Sequence, residues 1–86
     1  MENMNNNLTR VAKIILGILE NKNRPMKPEE IVSELGMKLR SVRYGLKLLV
    51  DGGIVVRYPD LKDLRSFYYA TPVALDKESY AYKVVA

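Results

Sequence analysis

Eighty-six residues, 48% of them apolar, suffice for one compact domain around one modest core and are too few for two. The absence of cysteine and histidine excludes a disulfide scaffold and thiolate-bound zinc or iron–sulfur centres, and removes the commonest general base and transition-metal ligand; neither a cofactor nor an enzymatic activity is expected. The net charge of +4 is concentrated: between positions 38 and 65, Lys38, Arg40, Arg43, Lys47, Arg57, Lys62 and Arg65 stand against Asp51, Asp60 and Asp63, and the other charges cancel, which marks this third of the chain as a surface for a polyanion.

Residues 1–7 are polar and lack the basic-then-apolar order of a signal peptide, so they read as a short disordered arm on a cytoplasmic protein. No apolar run approaches the roughly 20 residues of a membrane span. Leu8, Val11, Ile14, Ile15, Ile18 and Leu19 follow helical spacing and predict a first helix over 8–21, with Asn7 as its cap and Leu16 off the main stripe. The run from Asn21 to Pro25 ends it. A second, short helix starts at Pro28, carries Glu29 and Glu30 in its first turn, presents Pro28, Ile31, Val32 and Leu35 on one face, and stops at Gly36. A third runs from Leu39 to Asp51, with Val42, Leu46 and Leu49 inward and Gly45 permitting close packing on the second helix; Gly52 and Gly53 terminate it. The period then changes to two. Residues 54–58 read as a strand and 67–71 as its return, ended by Pro72. Between them 59–66 form a charged connection too long for a two-residue turn. In the tail, Asp76 offers a cap for a last helix holding Tyr80, Val84 and Val85, while Tyr80, Tyr82 and Val84 alternate equally well on a strand; the helix is preferred.

This order predicts an α+β, mainly α, domain: a three-helix bundle with a two-stranded β-hairpin and an extra C-terminal helix in the tail. The stretch KPEEIVSELGMKLRSVRYGLKLLVDGGIVVR resembles the helix-turn-helix of small archaeal and bacterial winged helix-turn-helix transcriptional regulators. A short Pro-Glu-Glu-Ile helix ends at Leu35-Gly36. A tight turn follows, then a helix holding Val42-Arg43-Tyr44, and Gly53-Ile54-Val55 leads into the hairpin. With the first helix and the hairpin the resemblance covers roughly 8–71. It implies a recognition helix (39–51) in the DNA major groove and a wing, with a basic tip at 59–66, on flanking backbone or minor groove. The corresponding division is an arm (1–7), a DNA-binding domain (8–72) and a C-terminal extension (73–86) suited to dimerisation. Two positions depart from the pattern. Lys38 stands where many members carry a capping Ser or Thr, and Leu39 is apolar at the mouth of the helix.

Helical geometry supports the same assignment independently. At 100° per residue, Arg40, Arg43, Tyr44 and Lys47 lie opposite Val42, Leu46 and Leu49. Such a helix packs on one side and offers arginines for guanine edges or phosphates, with Lys47 suited to phosphate. The ordinary alternative is a solvated outer face, but no acidic residue interrupts it from Lys38 to Val50. Lys38, Leu39 and Ser41 complete the candidate DNA-contact set at the helix start, and Arg57, Lys62 and Arg65 complete it on the wing, where Asp60 and Asp63 partly cancel the tip. Tyr58, Phe67, Tyr68 and Tyr69 read as cross-strand packing in preference to a base-stacking platform for RNA. Leu16, Leu48, Val50 and the apolar tail suggest exposed surface, favouring a homodimer over a tail folded onto its own subunit. The expected function is sequence-specific binding of double-stranded DNA and transcriptional regulation. A second resemblance, of GGIVVRYPDLKDLRSFYYATPVALDKE to the winged-helix domain of archaeal transcription factor E, implies instead a protein-interaction module of the transcription machinery. That likeness lacks the family's Thr-Gly-Trp before the aromatics and its zinc ribbon.

Overall fold

The computed structural model describes residues 8–74. Helix α1 spans Arg10–Lys22 and begins at Thr9, whose hydroxyl accepts the N–H of Ala12 at 3.2 Å, so Thr9 supplies the cap expected of Asn7. It ends at Asn23, left-handed at φ 51°, whose N–H donates to the Leu19 carbonyl. The buried line of α1 is Ala12, Ile15 and Leu19. Ile14, expected on that line, is 43% exposed. It stands about 130° from the line's centre, whereas Leu16 and Ile18 stand within about 90° of it and are half-buried.

Helix α2 spans Pro28–Leu35. Glu30 reaches back to accept the N–H of Lys27 at 2.9 Å, one half of a capping box, and Gly36 closes the helix at φ 67°. Salt bridges Lys22–Glu34 (3.4 Å) and Arg24–Glu30 (3.3 Å) link the exit of α1 to α2. Helix α3 spans Leu39–Asp51 and buries Val42, Gly45, Leu46 and Leu49. Gly45 lies against α1, not against α2 as its sequence position suggested. A Cβ there would stand 2.5 Å from Ile15 Cδ1 and 3.1 Å from Val11 Cγ1.

The hairpin comprises β1 (Val56–Asp60) and β2 (Asp63–Ala70), antiparallel, with Val56 opposite Ala70 and Tyr58 opposite Tyr68. Both strands differ from expectation at their ends. Ile54 and Val55 donate their N–H groups to the Leu49 carbonyl at 2.9 and 3.3 Å, so they belong to the exit of α3. At the tip, Asp60 pairs with Asp63 across a two-residue turn, Leu61-Lys62, shorter than the connection read from the sequence. Pro59 pairs with Phe67, so Leu64, Arg65 and Ser66 form an irregular bulge on β2. Asp60 accepts the N–H of Lys62 at 2.9 Å and Asp63 that of Arg65 at 3.2 Å, and these local bonds hold the tip.

Met26, fully buried between α1 and α2, exchanges both backbone hydrogen bonds with Tyr69 (2.9 and 2.8 Å) and adds a one-residue third rung to the sheet. The core gathers Ala12, Ile15, Leu19, Met26, Ile31, Val42, Leu46, Leu49 and Val55. Among the described residues no buried side-chain polar atom lacks a partner, and no helix is long and apolar enough to cross a membrane. After β2, Thr71 accepts the N–H of Ala74 at 3.3 Å and residues 72–74 are helical. A helical turn thus opens at Pro72, before Asp76, and Pro suits a first helical position. The arm 1–7 and the tail helix expected at Asp76, Tyr80, Val84 and Val85, with its strand alternative at Tyr80, Tyr82 and Val84, fall outside the described residues.

Candidate nucleic-acid interface

Packing Val42, Leu46 and Leu49 inward turns the opposite side of α3 to solvent. Arg40, Arg43, Tyr44 and Lys47 are all exposed there, and Tyr44 is 54% accessible. At the start of α3, Lys38 is exposed and extended and caps nothing through its side chain. Its carbonyl accepts the N–H of Val42, and Leu39 and Ser41 are half-buried. The Lys38 side chain therefore gives the first-turn amides of α3 no acceptor.

The charges sort themselves by pairing. Each acidic residue of the basic stretch is engaged internally. Asp51 meets Lys47 Nζ at 2.8 Å, Asp60 meets Lys27 Nζ at 2.8 Å, and Asp63 meets Arg65 Nε at 3.2 Å. Lys47 is thus tied to a neighbour one turn on, a pairing outside the acid-free window read from the sequence, and its ammonium pKa is raised by that hydrogen bond. The N–H and side chain of Arg65 lower the carboxyl pKa of Asp63. Lys38, Arg40, Arg43, Arg57 and Lys62 make no ion pair among the described residues. Arg57 lies over the Phe67 ring, its guanidinium carbon 3.8 Å from the ring centroid.

Two concavities flank the wing. One, of about 300 Å³, is lined by Arg43 of α3, Pro28 and Glu29 of α2, and Arg65, Ser66, Phe67 and Tyr69 of β2. It brings Arg43 and Arg65 to one groove, with Arg57 alongside through Phe67. The other, of about 520 Å³, lies on the far face of the hairpin between Arg24, Pro25, Tyr58, Tyr68 and the tip, and Lys62 lines this one. Lys62 and Arg65, expected as one basic tip, thus stand on opposite flanks. Tyr58 and Tyr68 stack with centroids 5.8 Å apart, as cross-strand packing requires. Sequence reasoning missed Lys27, which pairs with Asp60 and sits 5.2 Å from the Tyr68 ring centroid, and the exposed leucines Leu61 and Leu64. Among the described residues no group of acidic side chains is spaced to hold a metal ion.

No family model and no curated protein matches the chain. Solved structures do. The adhesin competence repressor AdcR of Streptococcus pyogenes superposes with a TM-score of 0.65 at 19% identity, over 91% of this chain and 59% of its own. A variant of MepR of S. aureus gives 0.68 at 21%, over 92% and 58%. The ST1889 protein of the archaeon Sulfolobus tokodaii gives 0.66 at 23%, over 84% and 70%. The chain therefore spans somewhat under three fifths of the length of AdcR and of MepR. Helix, helix, turn, helix and hairpin, with Met26 bridging the wing to the bundle and these structures superposing on it, make the fold of this chain a winged helix-turn-helix.

Proposed function

We propose that the chain binds double-stranded DNA with sequence preference and regulates transcription. The observation that carries this reading is the groove shared by Arg43 and Arg65. A recognition helix and a wing present arginines to one concavity, with Glu29 of α2 also in its lining, while Asp51 and Asp60 of the basic stretch are engaged by Lys47 and Lys27, and Asp63 holds Arg65 through its Nε. Arg40, Arg43 and Tyr44, near the start of α3, meet base edges, and Lys38, Leu39 and Ser41 line the entry of the helix into the major groove. Lys62 and Arg65 contact phosphates from opposite flanks of the wing, with Arg57 held on Phe67 on the Arg65 side. The likeness to a repressor of known fold supports the same direction. Two copies on a two-fold duplex belong to the proposal.

The test is selection of bound duplexes from a random pool, followed by titration of selected and scrambled duplexes at several salt concentrations. Arg43→Ala is expected to cost about 1–3 kcal/mol on the selected site and to relax the preference at one base pair. Lys62→Ala weakens all duplexes alike and lowers the salt slope by about one unit. Lys47→Ala lowers it less, because Asp51 already neutralises that ammonium. If Arg40→Ala and Arg43→Ala both leave affinity and preference unchanged, α3 does not read DNA, and an interaction module of the transcription machinery becomes the better reading.

A further inference from the structure

We propose that Leu61 and Leu64 are apolar wedges that enter the DNA minor groove and bend the duplex, an inference that rests on the DNA-binding reading above. These two are the most exposed large apolar side chains of the described residues, at 79% and 67%. They sit at the end of a two-stranded hairpin, where no element of the described residues packs over them. The tip is held in shape: Asp60 accepts the N–H of Lys62, Asp63 accepts the N–H of Arg65, and the Ser66 hydroxyl donates to Asp63 at 3.2 Å. Both carboxylates are occupied, Asp60 by Lys27 and Asp63 by Arg65. What the tip offers outward is therefore two leucines, the Lys62 ammonium, and the Arg65 guanidinium, whose Nε is held by Asp63.

The placement of those cations selects the occupant. Lys62 lines the concavity on one face of the hairpin and Arg65 the groove on the other. A flat anionic surface meets only one flank at a time. A minor groove has a phosphate wall on each side, so a tip entering it engages both cations at once and drives its apolar end toward the base steps. Apolar side chains wedged there partly unstack a step and kink the duplex toward the major groove. The sequence consequence is a preference for easily unstacked TA or CA/TG steps beneath the wing, without hydrogen bonds to those bases.

The experiment measures energy transfer between dyes at the two ends of a duplex carrying the selected site, together with affinity across salt. The wild-type chain is expected to shorten the end-to-end distance. The double variant Leu61→Ala/Leu64→Ala loses the bend, binds about tenfold more weakly where a TA step lies under the wing, and keeps the salt slope. Leu61→Phe retains the bend. Because both leucines are exposed, the melting temperature of each variant stays close to wild type, which separates loss of contact from loss of fold. An unbent duplex in the wild-type complex, or a double variant that bends and binds like wild type, overturns the wedge and leaves the DNA reading intact. So does a double variant that halves the mass in sedimentation, which makes the tip a contact between copies. A wild-type chain with no salt-dependent affinity for any duplex overturns both.

Discussion

Lys27 shows how much of the wing is set by one side chain. It is the residue before α2, extended at ψ 157°, and its ammonium reaches across to Asp60 near the wing tip. The hydrogen bond to Lys27 holds the Asp60 carboxyl below its ordinary pKa of 3.8, and the same bond raises the ammonium pKa above 10.5. A lowered carboxyl pKa contributes stability that is present above the unfolded value and lost as the pH falls through the folded one. The raised ammonium contributes below its unfolded value and is lost as the pH rises through the folded one. The pair is thus intact across neutral pH. Asp60→Asn, which keeps an acceptor for the Lys62 N–H, is expected to lower the melting temperature at neutral pH, and the difference from wild type closes as the pH drops below 3.8. A difference that stays constant down to that acidity means that shape, and not charge, joins the two residues. In the sequence Asp60 reads only as cancelling Lys62; its partner lies far back in the chain, and no local spacing links them.

At the scale of elements, helices were more legible than strands. The 3.6-residue period and the two glycines place α2 and α3 at their observed bounds, because capping is local chemistry. The hairpin was read too short at its tip because Pro59, Asp60 and Asp63 are turn formers. Yet Pro59 fits on β1, the outer strand of the described sheet, and the two aspartates cap a two-residue turn from inside the sheet. The sequence marks Gly45 as a packing glycine but points to α2 and not α1, because periodicity gives a face but not its neighbour. The α1–α3 contact gives a sharp test. Gly45→Ala gains about 1 kcal/mol of helix propensity but drives a methyl into Ile15 Cδ1, and overpacking of this kind costs typically 1–3 kcal/mol. The expected net effect is destabilisation of about 1 kcal/mol, read as a fall in the denaturant midpoint. Ile15→Val removes that Cδ1, so the double variant is more stable than the sum of the single effects predicts. Additive single effects exclude the clash.

For the whole molecule, the exposed apolar surface lies elsewhere than the sequence suggested. Leu16, Leu48 and Val50, on which the sequence bases a dimer, are half-buried and pack on the core; Ile14 and Val73, at 43% and 64%, are the exposed large aliphatics away from the wing among the described residues. A burial pattern is a property of three packed helices, and a single helical wheel misplaces residues near the edge of the stripe. Homodimerisation remains proposed, now through the side of α1 that carries Ile14. Sedimentation at tens of micromolar, roughly where weak dimers form, should give twice the monomer mass for wild type and the monomer mass for Ile14→Glu. A monomeric wild type at that concentration removes the idea. The candidate DNA face, by contrast, was legible as a set of residue types. What the sequence lacked was their grouping: Arg43 with Arg65, Lys62 apart, and Lys47 already paired.

The exchange of backbone bonds between Met26 and Tyr69 has a kinetic side. Each helix draws on partners a turn away and forms on local terms. The bridge joins positions roughly forty residues apart, and closing a loop of that length costs entropy before it returns any enthalpy. The base of the wing is therefore assembled late, once the three helices have brought Met26 to its place. On one side the bridge is anchored by the buried Met26 side chain, which is seated in the main core. With Ala70 and Val55 also buried at its base, the hairpin is rooted in the core that carries α3 and is expected to share its cooperativity.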